Sequence, residues 1–164
     1  MGSARLINAA QTLQTICIEH DISVAVGESL TAGLIGATLA EVPGASQYFQ
    51  GGVISYSVAI KEMLLDVDPQ IIAECGVVSR ECAEAMARGA QLRCGARAAV
   101  AVTGEAGPFA FEKSVAVGTV WICARFDDAC VSEMVTLGGS RNEIREKTTA
   151  DAISLLSNTI LTHL

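Results

Sequence analysis

A serine and a lysine are the side chains of this sequence best suited to acyl chemistry. Ser46 follows a Pro-Gly-Ala turn that leads into a strand-like run ending at Tyr56, and Lys61 comes five residues later. A serine nucleophile needs a base, which is usually a histidine. The two histidines, His20 and His163, each lie near the end of a predicted helix. A Ser-His-Asp triad is therefore disfavoured, and the sequence favours Ser46 activated by Lys61.

Ser29 is the alternative nucleophile. It lies in a turn between a predicted strand and a predicted helix, where a hydroxyl more naturally caps the helix or binds phosphate. Of the three lysines, Lys113 lies in a loop and Lys147 in the polar part of the last helix, so only Lys61 follows a strand end. To act as a base Lys61 must be neutral, which requires its pKa to fall by about three units from about 10.4. The competing interpretation of Lys61 is an ordinary solvated surface lysine.

Composition bounds the class of protein. Hydrophobic residues make up 51% of the 164 residues and aromatic residues only 4%, so the core must consist of small aliphatic side chains. This length predicts a single domain over residues 1–164. No apolar run reaches the roughly 18 residues of a membrane span, and no signal peptide is recognisable, so we expect a soluble, cytoplasmic protein with no membrane partner. A net charge of -7 without a basic stripe disfavours nucleic acid as a partner.

The six cysteines show no C-x-x-C pair and no Cys/His cluster. Most of them lie in apolar stretches, as Cys17 and Cys123 do, where a free cysteine behaves as a small buried hydrophobe. We therefore expect reduced, structural cysteines and no metal site.

Helical and strand-like segments alternate along the chain. Apolar periodicity predicts helices over residues 3–19, 31–41, 59–65, 70–74, 80–93 and 140–161, and strands over residues 23–26, 52–57, 98–103, 118–125 and 130–137. Ser79 is the predicted cap of one helix, and Ser140 with Glu143 forms a predicted capping box. The turn after the first strand would present free backbone N–H groups to an anion. This order of elements indicates an α/β fold, a three-layer α/β/α sandwich with a mixed sheet.

Several blocks of sequence together resemble one known family. The blocks are GESLTAG (27–33), VPGASQYFQGG (42–52), Tyr56-Ser57 with Lys61, GVVS (76–79), VTGEAGP (102–108) and VGTV (117–120). Their order and spacing are similar to those of the C-terminal domain of the competence/damage-inducible protein CinA, which also occurs alone as nicotinamide-nucleotide amidohydrolase. The resemblance spans nearly the whole chain.

The resemblance implies an amide hydrolase of pyridine nucleotide salvage. Such proteins convert the carboxamide of nicotinamide mononucleotide to nicotinate mononucleotide and ammonia, without a metal or another cofactor. The resemblance places the nucleophile at Ser46, the general base at Lys61 and a polar helper at Tyr56. It also implies a small-molecule nucleotide as partner and favours a homo-oligomer. A Ser-Lys pair can supply both the activated nucleophile and the proton for the leaving ammonia.

The implied substrate carries a 5'-phosphate, which an acidic protein must hold with local donors. Thr31 and Gly33, at a predicted helix start, are candidates. Arg141 and Arg145 are further candidates, because their spacing places both on one face of the last helix near its N-terminus. The competing interpretation of the two arginines is a solvated helix face paired with glutamates.

Small residues of the fifth block, where the predicted strand 98–103 runs into a loop, would let a ligand ring approach the backbone. These are Thr103, Gly104 and Ala106, for which a simple tight turn is the competing interpretation. The expected substrate-binding residues are thus Glu28, Ser29, Thr31, Gly33, Thr103, Gly104, Ala106, Arg141 and Arg145.

Two departures from the family's pattern leave the substrate open. Ala32 stands where the family has glycine and adds a methyl group where the backbone is expected to approach phosphate. The loop 109–116 lacks two of the family's glycines and contains Phe109 and Phe111, which narrow the pocket or form an apolar patch. Three functions therefore stand: the amidohydrolase on nicotinamide mononucleotide, an amidase on a different small amide or nucleotide, and a non-catalytic nucleotide-binding or oligomeric regulatory module.

Overall fold

Five strands form one sheet that helices cover on both faces. The computed structural model describes residues 3–164. The strands are β1 (Val24–Glu28), β2 (Phe49–Ile54), β3 (Ala98–Gly104), β4 (Thr119–Phe126) and β5 (Ala129–Thr136). The helices are α1 (Ala4–Glu19), α2 (Leu34–Glu41), α3 (Val58–Leu65), α4 (Pro69–Cys75), α5 (Arg80–Arg93) and α6 (Arg141–His163), and a 3₁₀ helix spans Ala45–Gln47. This architecture confirms the three-layer α/β/α sandwich with a mixed sheet.

The strand order β2-β1-β3-β4-β5 divides the sheet into a parallel and an antiparallel half. β2, β1 and β3 are parallel, with Val26 of β1 opposite Gly52 on one side and Val100 on the other. β4 and β5 continue the sheet as an antiparallel hairpin. The carboxyl ends of the three parallel strands therefore meet at one edge, which is where ligands bind in open α/β sheets.

Two hydrophobic clusters lie on the two faces of the sheet. Helices α1, α2 and α6 cover one face, where the larger cluster includes Leu13, Ile35 and Ile153. Helix α5 covers the other face and packs against α3 and α4. Gly89 permits this packing, because a Cβ at position 89 would lie 2.1 Å from the carbonyl oxygen of Leu65. The close approach fixes the carboxyl end of α3 against α5.

The ends of the first elements differ from the sequence-based prediction. β1 continues to Glu28 instead of ending at residue 26, β2 ends at Ile54 instead of residue 57, and α2 begins at Leu34 instead of residue 31. A Cβ at position 27 would lie 3.3 Å from both the Met86 oxygen and the Ala101 Cβ, which is closer than most such contacts. Because glycine has no Cβ, the strand can continue through Gly27 against these neighbours. The turn between β1 and α2 therefore spans residues 29–33.

The other elements follow the prediction closely. Ser79 caps α5 by accepting a hydrogen bond from the amide of Cys82, and the capping box of Ser140 and Glu143 opens α6. All six cysteines are free. Within residues 3–164, none of the helices combines the length and the apolar character that crossing a bilayer requires.

Candidate active site

Lys61 is buried and points at a serine. The helix that carries it, α3, starts after Ser57, whose hydroxyl accepts a hydrogen bond from the amide of Ile60. Only 1% of Lys61 is exposed. Its Nζ donates to Ser29 Oγ at 2.9 Å and to the backbone oxygens of Ser55 and Tyr56. The interpretation of Lys61 as a solvated surface lysine is therefore wrong.

No carboxylate neutralises Lys61. The ion pairs found within residues 3–164 join Arg5 to Asp151, Arg93 to Asp66 and Arg97 to Asp127. Burial, which disfavours a charged amine, is the main cause that lowers the pKa of Lys61 below its usual 10.5, and the nearby Cys82 opposes it. A buried lysine without an ionic partner has the property that a general base at neutral pH requires.

Ser29 is the serine that Lys61 contacts. It follows the last residue of β1, in the turn that leads to α2, and 8% of it is exposed. Ser55, at the end of β2, holds the two strand ends together, because both its amide and its hydroxyl donate to the Glu28 oxygen. The same residue offers its own carbonyl oxygen to Lys61. The two strand ends thus position the lysine against Ser29.

The predicted pairing of Ser46 with Lys61 is wrong. Ser46 lies in the 3₁₀ helix before β2 and is exposed, whereas Lys61 lies beyond the other end of that strand. The six residues of β2 separate these ends by roughly 20 Å at about 3.3 Å per residue. A separation of 15 residues in the sequence suggested proximity, but the extended strand β2 lies between Ser46 and Lys61 and carries them apart.

The predicted anion site at the start of α2 is occupied by a side chain of the protein itself. The carboxylate of Glu28 accepts hydrogen bonds from the amides of Gly33, Ile35 and Gly36 at 2.8–3.1 Å. Glu28 is buried, so its charge is satisfied by these amides and by the positive end of the helix dipole. Glu28 and Gly33 therefore build the turn, and the amides expected for a substrate phosphate are taken.

The two candidate arginines have different tasks. Arg145 donates to the carbonyl oxygens of Leu30 and Thr31 at 3.0 and 2.9 Å, so it holds the serine-bearing turn against α6. Arg141 donates to the Gly107 oxygen and to the Tyr56 hydroxyl at 2.6 and 2.8 Å. Only Arg141 is available to a ligand, because its side chain is exposed at the pocket described next.

A cavity of about 590 Å³ lies over Ser29 at the carboxyl edge of the parallel strands. Its lining includes the predicted residues Ser29, Tyr56, Thr103, Gly104, Ala106 and Arg141, together with Leu30, Ser57, Val58, Ala59, Val77, Val78, Glu105, Phe109 and Phe111. The other predicted site residues are outside this lining: Glu28, Thr31, Gly33, Ser46, Arg145 and Lys61, which lies behind Ser29. The volume falls in the range of cavities that bind small organic ligands.

Position 32 affects the backbone and not the pocket. Ala32 is exposed and lies outside the cavity lining. Its φ of 48° is in the left-handed region, which glycine adopts at little cost and alanine does not. The expected contact between the Ala32 methyl group and a substrate phosphate is therefore not supported, and the residue strains the turn instead.

Two glutamates of the site were not predicted from the sequence. Glu105 is buried and accepts hydrogen bonds from the amides of Phe111 and Glu112, both at 2.9 Å. Glu112 in turn accepts from the amides of Val77 and Val78. The position of Glu105 inside a block shared with the family was the available signal, whereas nothing local marked Glu112.

Residues 3–164 hold no group of three or more His, Cys, Asp or Glu side chains that could bind a metal ion. Ser29 and Lys61, with Tyr56 in the cavity lining, can supply a nucleophile, a base and a hydroxyl donor.

Comparisons with known proteins agree with this architecture. The family model of the CinA C-terminal domain matches residues 7–160. A CinA-like protein of Mycobacterium marinum is 47% identical over 137 residues, covering 83% of this chain and 32% of the relative. One from Thermosipho melanesiensis is 42% identical over 136 residues, covering 82% of this chain and 34% of the relative. The chain thus spans about a third of the length of these curated relatives.

A solved structure extends the comparison to three dimensions. The crystal structure of the competence/damage inducible protein CihA from Agrobacterium tumefaciens superposes with a TM-score of 0.94 at 30% identity, covering 97% of this chain and 98% of that one.

Proposed function

The chain belongs to the CinA C-terminal domain family, and on that basis we propose that it hydrolyses a linear carboxamide, with nicotinamide mononucleotide as the substrate. Ser29 is the nucleophile and Lys61 the general base. The observation that carries the proposal is the 2.9 Å hydrogen bond between Lys61 Nζ and the Oγ of Ser29, a residue that lines the cavity. A nucleophile and a base within hydrogen-bond reach are the signature of covalent catalysis.

Proton transfer begins with neutral Lys61. The Ser29 hydroxyl then donates its hydrogen bond to Nζ and passes its proton there as Oγ attacks the amide carbon. The protonated lysine returns this proton to the leaving nitrogen, which departs as ammonia, and leaves an ester on Ser29. Water hydrolyses the ester with Lys61 again as base, which releases the carboxylic acid and restores the serine.

Tyr56 and Arg141 recognise the polar parts of the substrate. Because the Arg141 guanidinium donates to the Tyr56 oxygen, the hydroxyl hydrogen of Tyr56 is left to donate to a substrate oxygen. Arg141 bonds to two neutral oxygens, so its positive charge is available to a phosphate at the cavity. In this assignment Arg141 takes the role that the sequence gave to both arginines.

An amidase with a different substrate is the second candidate. The observation in its favour is that the loop 109–116, which contributes to the cavity lining, lacks two glycines of the family's pattern. A non-catalytic binding module would keep the cavity without needing the serine–lysine contact.

Ammonia release tests the proposal. Purified protein is incubated with nicotinamide mononucleotide and, separately, with a panel of other small amides, alongside the variants Lys61→Met and Lys113→Met. We expect release from the mononucleotide, loss of release in Lys61→Met and normal release in Lys113→Met, where the lysine is exposed. Release from another amide alone supports the second candidate. Failure to release ammonia from any amide, with the mononucleotide still bound, supports the non-catalytic module.

A pH profile tests the role of the lysine. If neutral Lys61 is the base, kcat/KM rises with pH through one apparent pKa that lies below 10.5, because burial favours the neutral amine. A flat profile across that range, with chemistry shown to be rate-limiting, contradicts the assignment.

A further inference from the structure

Two phenylalanines line the mouth of the cavity with their rings in solvent. Phe109 is 89% exposed and Phe111 is 81% exposed, although both belong to the cavity lining. Large apolar rings exposed at a pocket provide surface that a bound ligand can remove from water.

The loop that carries these rings is anchored on both sides of the cavity. The Glu105 carboxylate accepts hydrogen bonds from two backbone amides of the loop. Glu112, which lies within the loop, accepts hydrogen bonds from the amides of Val77 and Val78, which also line the cavity. These bonds link the end of β3, the loop and the segment before α5 in one chain of charge-assisted contacts. The backbone that carries the rings is thus fixed before a ligand binds, which reduces the conformational entropy lost on binding.

Three polar groups and the two phenyl rings of the cavity lining lie on different elements. The polar groups Ser29, Tyr56 and Arg141 come from the strand ends and α6, whereas the loop contributes the two phenyl rings. The cavity of about 590 Å³ is far larger than a carboxamide group alone requires. A ligand that fills it presents its amide to Ser29 and a flat group to the rings.

From this arrangement we infer that Phe109 and Phe111 determine specificity by stacking on an aromatic ring that bears the reactive carboxamide. The inference rests on the proposed amide hydrolysis and goes beyond it by assigning recognition of the substrate ring to these two side chains of the loop 109–116. A cationic ring, such as a pyridinium, binds best, because the faces of phenyl rings carry negative charge density.

Binding to an inactive protein tests the inference separately from turnover. In a Ser29→Ala background, calorimetry compares the Kd of nicotinamide mononucleotide for the intact loop, for Phe109→Ala with Phe111→Ala, and for both positions changed to Tyr. We expect Kd to rise about tenfold in the alanine protein and to return to its starting value in the tyrosine protein, which keeps the aromatic faces. Met134→Ala, at an exposed apolar residue of β5, is the matched control and leaves Kd unchanged.

The outcomes separate the two proposals. An unchanged Kd in the alanine protein, or no recovery with tyrosine, overturns the stacking role while leaving hydrolysis intact. Tenfold weaker binding in a protein whose wild type releases no ammonia supports stacking and contradicts hydrolysis. Absence of any binding overturns both. Loss of self-association in the alanine protein with an unchanged Kd assigns the rings to a contact between copies of the chain and overturns the inference.

Discussion

Ser29 and Ser46 lie in turns at opposite edges of the sheet, and their surroundings differ in almost every respect. Ser29 is nearly buried, lines a cavity and touches a lysine, whereas Ser46 is exposed in a 3₁₀ helix before β2. Ser46 is nearer to Lys61 in the sequence, and Ser29 is nearer in space. The difference shows that a residue's spatial neighbours depend more on whether it lies at the amino or the carboxyl end of a strand than on its distance from them along the chain.

The carboxyl edge of the sheet gathers polar groups from elements that are distant in sequence. Glu28 and Ser29 follow β1, Ser55 follows β2, and Lys61 returns on α3. Each of these side chains is buried and hydrogen-bonded. The Glu28 carboxylate accepts from amides at the start of α2, Ser55 donates to the Glu28 carbonyl oxygen, and Lys61 donates to Ser29. The amino edge, where Ser46 lies, has no comparable convergence around that serine.

Removing each serine in turn gives the sharpest test of this difference. We expect Ser29→Ala to lower kcat by at least about a thousandfold, because it removes the proposed nucleophile, and Ser46→Ala to leave kcat within about twofold of the wild type. Steady-state ammonia release measures both, and circular dichroism checks that both variants fold. The reverse result, with activity lost only in Ser46→Ala, would contradict the site.

The carboxylate that caps α2 should matter chiefly for stability. Glu28→Gln replaces a charged acceptor of three amide hydrogen bonds by a neutral group, and we expect the free energy of unfolding to fall by about 2 kcal/mol. Urea denaturation measures the change. Glu146→Gln, in an exposed part of α6, is the control. Equal stability of the two variants would show that the buried cap contributes nothing.

The buried lysine should make stability depend on pH in a known direction. Burial lowers the pKa of Lys61 in the folded state, so the unfolded chain keeps the proton at pH values where the folded protein has lost it. The free energy of unfolding should therefore rise with pH from the folded pKa towards 10.5. The free energy of unfolding of Lys61→Met should lack this rise. The variant should be most stabilised, relative to the wild type, at pH values below the folded pKa of Lys61.

Urea denaturation at several pH values compares Lys61→Met with the wild type and with Lys113→Met, an exposed control. If the free energy of unfolding had the same pH dependence in all three proteins, burial would not disfavour the protonated form of Lys61.

The smallest expected effect concerns position 32. Ala32→Gly places the residue that tolerates a positive φ at 48°, and we expect the free energy of unfolding to rise by about 0.5–1 kcal/mol. Because Ala32 lies outside the cavity lining, KM should not change. A lower thermal midpoint would mean that the backbone entropy of glycine outweighs the strain relieved.

Secondary structure was largely predictable because its signals are local. The helix Arg80–Arg93 appears with the predicted bounds, and the predicted cap at Ser79 and capping box at Ser140 are present. The prediction failed where the reason for a residue was its packing against another element and not the local secondary structure. Gly27 was interpreted as the end of a strand, yet its missing side chain allows β1 to continue under α5.

The sequence by itself determined the fold class, the family and the residue types of the site. Apolar periodicity and caps depend on neighbouring residues, and the shared blocks are contiguous segments, so both can be identified without coordinates. It also singled out Lys61 among the three lysines, whereas Tyr56 came from the family resemblance and Arg141 was one of two candidate arginines.

Only the tertiary structure decided which serine faces the lysine, which arginine reaches the cavity and what occupies the start of α2. Each of these depends on contacts between elements far apart in sequence: Ser29 with Lys61, Arg145 with Leu30, and the end of β1 with the first turn of α2. Strand register and helix packing set these distances. The spacing of residues along the chain does not contain them.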